Sequence, residues 1–401
     1  MPTPPLSRRG AAMPPSPIRK LVPLADEAKA RGVHVHHLNI GQPDVPTPPA
    51  FFEAVRAFPD RVLAYGHSAG LAAVREKMAA YYRRRGYEGI GPAEVTVTTA
   101  GSEAIQFALM ATCDPGDEVL CFEPFYTNYN SYALEAGVTL RALTCRVEDG
   151  YHLPARDAIE AAVGPRTRAI LCCSPNNPTG TVLARAEMEA LAAVARAHDL
   201  FLLGDEAYRE FVYGGAVHIG VLDLAGVADR AVLMDTLSKR YSLCGARVGC
   251  LVTRNADLGR AFLHLGMARL CPPSLEQYGA LPLFDLGDDY FRSVQAEYQR
   301  RRDVVMEGLA RIPGAYARTP EGAFYVMARL PVQDSGHFAR WLLTDFRHEG
   351  ETVMLAPGDG FYATPGRGHD EVRLAYVVGT AELRRAMDCL AAALKVYDGV
   401  G

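Results

Sequence analysis

Four short stretches carry residue types able to do chemistry: SPNNPTG at 174–180, DEAY at 205–208, TLSK at 236–239, and Arg247, eight residues after Lys239. Each has a plain reading beside a chemical one. Asp205 and Glu206 end the apolar run FLLG, so they could present carboxylates to magnesium as a Walker-B strand does. That chemistry needs a Walker-A loop as well, and the dipeptide Gly-Lys occurs nowhere in the chain. NNPTG is, by itself, a turn with Pro and Gly in their usual places. A lone lysine such as Lys239 is in most proteins a solvated surface group; held beside a carbonyl it becomes an amine nucleophile.

The elements that must position these stretches follow from the apolar pattern. EVTVTTA (94–100) reads as a strand, after which Gly101, Ser102 and Glu103 open a helix. DPGD (114–117) turns into the strand EVLCF (118–122), and RAILCC (168–173), FLLGDE (201–206), RAVLMDTLS (230–238) and VGCLVT (248–253) continue the series. Between them a helix runs from about Arg185 to His198, with Met188, Leu191, Ala192 and Ala195 on one face. Strands alternating with helices predict an α/β fold: a mostly parallel sheet covered on both faces. Near residue 290 the texture changes. A long amphipathic helix with Phe291, Val294, Tyr298, Val305 and Leu309 precedes shorter strands (324–330 and 372–377) and two more helices, the pattern of a smaller α+β domain. The expected division is an arm at 1–17, a large domain at 48–287, and a small domain from 18–47 with 288–401. The Pro-rich arm reads as flexible or extended.

At 401 residues the chain exceeds one ordinary core, and it carries a formal net charge of −4. No overall basic field attracts nucleic acid or anionic lipid, and no apolar run spans a bilayer. The first twenty residues hold six prolines and four Lys/Arg without an apolar core, which argues against a secretory signal. Nine cysteines with no CxxC pair fit reduced thiols in a cytoplasmic enzyme.

Taken in order and spacing, the four stretches resemble fold-type I pyridoxal-phosphate enzymes, specifically the aspartate aminotransferase family (class I/II). The resemblance runs from about residue 38 to 379 and includes LNIGQPDVPTP (38–48), YGHSAGLAAVREKMAAYY (65–82), EGAFYV (321–326) and VRLAYV (372–377). It implies a large domain of fold-type I and pyridoxal 5'-phosphate as cofactor, held by Lys239 as a Schiff base. By the same resemblance this lysine would shuttle the proton between the substrate Cα and the cofactor. Asp205 would keep the ring nitrogen charged, with Asn177 and Tyr208 donating to the ring oxygen and Tyr126 stacking on the ring, where the best-known members have tryptophan. Gly101, Ser102 and Thr236 would bind the phosphate, and Arg247 would neutralise it. Arg373 would fork the substrate α-carboxylate, with Gly41 also at the substrate. Tyr65 would reach the phosphate of a partner subunit, making the working enzyme a homodimer with shared active sites. Amino acid and 2-oxo acid are then the substrates.

The cofactor pocket does not choose between bond cleavages. A lyase acting at Cβ therefore stands as the alternative to a transferase. A regulator carrying this domain as a sensor is least favoured, because only about forty residues precede the first motif. A dicarboxylic substrate, aspartate or glutamate with its 2-oxo acid, would need a cation for the distal carboxylate. AGSEA (100–104) offers no lysine, and Arg269 in MARLCPPS (267–274) is the candidate. His34, His36 and His37 lack the partners of a metal site and read as alternation in a short strand. Arg83, Arg84 and Arg85 read as the charged end of a helix.

Overall fold

The computed structural model describes residues 3–398. Its centre is a seven-stranded sheet. Across the sheet the strands run Val95–Thr99, Val248–Val252, Ala231–Thr236, Phe201–Asp205, Thr167–Cys173, Glu118–Glu123 and Thr139–Thr144. All pairings are parallel except the two made by Val248–Val252, which is antiparallel to both of its neighbours. The buried strands are near-continuous apolar runs because helices cover both faces. One face packs on Met188, Leu191 and Val194 of the helix Arg185–Ala197. The other packs on Ile105, Ala108 and Leu109 of the helix Ala100–Thr112. The architecture is α/β, a mostly parallel sheet covered on both faces with a smaller α+β domain, as the alternation predicted.

The smaller domain contains an antiparallel sheet of Ala356–Pro357, Glu371–Ala375 and Tyr325–Arg329. The long helix Asp288–Ala310 joins two cores. Phe291 packs with the large sheet, whereas Val294, Tyr298, Val305 and Leu309 pack with Phe324, Leu383 and Leu390. His34–His37 is a strand, parallel to Glu351–Met354. His36 is fully buried there, with Nε2 2.8 Å from Glu351 and Nδ1 3.4 Å from Glu382.

Two features differ from the sequence reading. The arm is not wholly extended: Arg8–Ala12 forms one exposed helical turn, capped by Ser7, whose hydroxyl accepts from the Gly10 N–H at 3.1 Å. Thr139–Thr144 is an edge strand whose half-exposed residues gave no continuous apolar run. Among the described residues no helix is long and apolar enough to cross a membrane.

Candidate active site

Six of the seven strands deliver their carboxyl ends to one side of the sheet, where α/β folds of this kind bind ligands, and five of them supply residues there. Beyond those ends lie Ala100 to Ser102, Tyr126, Asn177, Asp205 and Thr236, while the antiparallel strand brings Arg247 in at its start. Together with Gly41, Tyr208, Lys239, Tyr325 and Arg373 they line one cavity of about 610 Å³, within the range of cofactor and ligand sites.

One end of the cavity is built for an anion. The helix Ala100–Thr112 begins there, so its first-turn N–H groups, those of Gly101 and Ser102 included, lack intrahelical acceptors. Ala100 (φ 60°) and Arg247 (φ 56°) both hold left-handed backbone, a strain that non-glycine residues bear where function demands it. Gly249 lets the strand pass beneath the helix start: a Cβ there would lie 2.6 Å from the Ala100 carbonyl carbon and 2.7 Å from the Asp235 carbonyl oxygen. The Thr236 hydroxyl, 2.8 Å from that of Ser238 and 3.1 Å from the Val248 carbonyl, stands beside them. Arg247 donates from Nη1 to the Cys244 carbonyl at 3.0 Å.

Asp205 lies deeper, buried, and accepts from the Tyr129 hydroxyl at 2.6 Å and from the Ala207 N–H at 3.2 Å. Burial pushes its carboxyl up to about 6, with the negative charges of Asp235 and Glu206 adding to the shift. Among the described residues no cation pairs with it, so the site offers a carboxylate to a cationic N–H brought by a ligand. A protonated pyridine nitrogen fits that description, and the anion cradle fits a phosphate. The residues present therefore suit pyridoxal phosphate.

Lys239 extends into the cavity from the short helix Leu237–Arg240, and its ammonium donates to the Gly41 carbonyl at 2.8 Å. Gly41 must be glycine because the Tyr325 hydroxyl occupies the space a Cβ would need, 1.6 Å from it. That hydroxyl is in turn 2.8 Å from the Tyr208 hydroxyl, and burial raises the pKa of Tyr208 well above its ordinary value.

Arg373, also in the cavity wall, is 1% exposed, yet it has no carboxylate partner among the described residues. Nη2 donates to the Asn39 carbonyl at 2.6 Å, Nη1 to Asn177 Oδ1 at 2.8 Å, and Nε has no partner. The guanidinium lies over the rings of Tyr325 (4.4 Å) and Phe361 (5.0 Å). A buried charge facing only neutral acceptors is costly, and an incoming carboxylate relieves it. Because a guanidinium only donates, the Asn177 oxygen must face it, which leaves Asn177 Nδ2 to donate elsewhere. NNPTG is also the turn its composition announced: Asn176 Oδ1 accepts from the Thr179 N–H (3.1 Å) and hydroxyl (3.0 Å).

Two expected residues are not in this cavity. Tyr65 is 83% exposed. Arg269 is the last residue of the helix Ala256–Arg269, donates to the Ser68 (3.2 Å) and Val97 (3.4 Å) carbonyls, and lies 3.5 Å from the Glu103 carboxylate. Four residues were not singled out from the sequence: Tyr129 beneath Asp205, Tyr325 beside Tyr208, Asn39 behind Arg373, and Arg19 at the cavity wall. Tyr129 follows Tyr126 by three residues and Tyr325 lies inside EGAFYV, so both sat within stretches already noticed.

Comparison with known proteins agrees with this geometry. The sequence model of the family described as aminotransferase class I and II matches residues 33–390. The arginine–pyruvate transaminase of Pseudomonas aeruginosa is 32% identical, over 89% of this chain and 89% of its own length. The aspartate aminotransferase of Thermotoga maritima is also 32% identical, over 93% and 95%. Among solved structures, an aspartate aminotransferase mutant from Thermus thermophilus superposes with a TM-score of 0.88 at 30% identity, covering 98% of this chain and all of its own.

Proposed function

The chain belongs to the aminotransferase class I and II family, whose members depend on pyridoxal phosphate, and on that premise we propose that it moves an amino group between aspartate or glutamate and a 2-oxo acid. The observation that carries the aminotransferase reading is Arg373, a buried cation without a carboxylate, on the wall of the cavity that also holds Lys239 and Asp205.

Bound in the cavity, pyridoxal phosphate supplies an electron sink for the pair released when the substrate Cα–H bond breaks. The chain's own residues do the rest. Arg373 binds the α-carboxylate through a planar fork and so orients the Cα–H bond. Lys239, whose amine reaches into the cavity, would be the group that carries the proton away from the substrate Cα and back. Asp205 keeps a proton on the ring nitrogen. Asn177 Nδ2 and the Tyr208 hydroxyl would serve the ring oxygen, and Tyr126 would hold the ring face. Gly101, Ser102, Thr236 and Arg247 would hold the phosphate, and Gly41 bounds the substrate space.

The working unit we propose is a homodimer in which Tyr65 completes the partner's phosphate site. Val62, Leu63, Met267 and Leu270 are exposed apolar residues on the same two segments as Tyr65, and Arg269 joins those segments through Ser68. The nine unpaired cysteines support a reducing, cytoplasmic setting. Segments 18–47 and 288–401 are taken as the small domain. Relatives named for arginine–pyruvate and for aspartate are equally similar to this chain, so the dicarboxylic assignment rests on the cavity's surplus of cations.

Purified holoenzyme assayed against a panel of amino acids and 2-oxo acids tests the reading. Faster turnover with neutral or basic donors than with aspartate or glutamate sinks the substrate assignment. Product release without any amino acceptor would instead establish the lyase.

A further inference from the structure

The cavity is lined by four cations, Arg19, Lys239, Arg247 and Arg373, against a single carboxylate, Asp205. Three of the four are engaged by protein: Lys239 by the Gly41 carbonyl, Arg247 by the Cys244 carbonyl, Arg373 by Asn39 and Asn177. The Arg19 side chain has no hydrogen bond or ion pair among the described residues, although its neighbour Lys20 lies 3.8 Å from Asp359.

Arg19 is nevertheless set on a fixed support. The chain turns there: the N–H groups of Arg19 and Lys20 donate to the Ser16 carbonyl (3.1 and 3.0 Å), and the Arg19 carbonyl accepts from Val22 at 3.0 Å, leading into the helix Val22–Ala30. On one side Pro17 packs so closely on Gly360 that a Cβ there would lie 2.3 Å from the proline ring. On the other, Asn39 Nδ2 donates to the Ile18 carbonyl at 3.2 Å while the Asn39 carbonyl accepts from Arg373 at 2.6 Å. One asparagine thus ties the turn carrying Arg19 to the arginine read as the α-carboxylate fork.

We propose that Arg19 is the specificity-determining residue of this site and receives the distal carboxylate of a dicarboxylic amino acid or 2-oxo acid. The inference rests on the dicarboxylic reading above and replaces Arg269 as the cation within the same chain. A guanidinium suits the task because its donors form a rigid fork matching a carboxylate, and here no protein acceptor competes for them. Arg269, by contrast, lies beside Glu103 and does not line the cavity.

The test compares wild type with Arg19→Gln, Arg19→Lys and Arg269→Leu holoenzyme. Half-reactions with single donors, followed by cofactor absorbance, give kcat/KM for aspartate, glutamate and alanine. Calorimetry gives the affinity for succinate, a dicarboxylate that does not react, and for propionate. Loss of a charge-assisted contact predicts a roughly 10- to 100-fold fall for aspartate, glutamate and succinate in Arg19→Gln, a much smaller fall for alanine and propionate, and partial recovery in Arg19→Lys. Equal losses for both classes overturn the proposal. So does a dicarboxylate preference that survives Arg19→Gln, whether or not Arg269→Leu removes it. If wild type itself shows no preference for dicarboxylates, the substrate assignment falls and this inference with it; a retained preference in Arg19→Gln removes Arg19 alone.

Discussion

Tyr129 donates its hydroxyl to Asp205 across 2.6 Å, and this is the strongest contact the buried carboxylate makes within the protein. With its pKa raised from 3.8 to about 6 by burial, the group opposes folding when ionised. Its stability contribution is fully present below the ordinary carboxylate value and is lost as pH rises through about 6. At pH 7 the cost in the cofactor-free chain is about 3 kcal/mol, from a shift of roughly two units. Asp205→Asn removes the ionisation and keeps an acceptor for Tyr129. The cofactor-free variant should therefore melt higher than wild type at pH 7 and show no advantage at pH 4, while the loaded variant loses orders of magnitude in kcat. A lower melting temperature at pH 7 would show that the carboxylate is already compensated within the fold.

Arg373 and Arg19 should fail differently. Arg373→Lys keeps the charge and loses the planar fork, so kcat/KM should fall roughly 10- to 100-fold for every amino acid tested, aspartate and alanine alike. Asn177→Ala frees one Arg373 donor and removes the donor proposed for the ring oxygen, so cofactor absorbance should shift as well. A spectrum unchanged from wild type in Asn177→Ala takes that residue out of contact with the cofactor.

Much of this was legible in the sequence, for physical reasons that also mark the limits. Strands buried on both faces are continuous apolar runs, so Thr167–Cys173, Phe201–Asp205 and Ala231–Thr236 announced themselves, whereas the half-exposed edge strand Thr139–Thr144 did not. Lys239, Asp205, Asn177, Arg247 and Arg373 were named from short motifs and meet in one cavity. Tyr129 and Asn39 act on groups 76 and 334 residues away, and only folding brings those partners together. Arg269 was placed by region alone, and spacing does not tell which way a helix-end side chain turns. Arg19 borders a Pro-rich arm whose composition says nothing of the wall it joins.

Gly249 carries a steric prediction. Gly249→Ala places a methyl against the Ala100 and Asp235 backbones, neither of which can yield cheaply. The helix start must shift, so cofactor affinity measured by equilibrium dialysis should drop at least about tenfold and the melting temperature should fall. Unchanged affinity would detach the phosphate from this helix.

Shared active sites make a prediction about mixtures. Tyr65→Phe should weaken cofactor retention although Tyr65 lies outside its own chain's cavity. Heterodimers of Tyr65→Phe with Lys239→Ala subunits contain one site in which Lys239 and the partner's tyrosine are both present. Activity above that of either parent is expected, and verified heterodimers without recovery count against a shared site.

The central claim is that Lys239 is the amine joined to the cofactor. Besides it the chain has only Lys20, Lys29, Lys77 and Lys395, and none of them lines the cavity. Borohydride treatment of the holoenzyme followed by peptide mass spectrometry reads the attachment point directly. The account predicts the reduced pyridoxyl phosphate mass on the peptide containing Lys239, and no fixation in Lys239→Ala, which still binds the cofactor through phosphate and ring contacts. Cofactor fixed stoichiometrically to any of the other four lysines in wild type would contradict it.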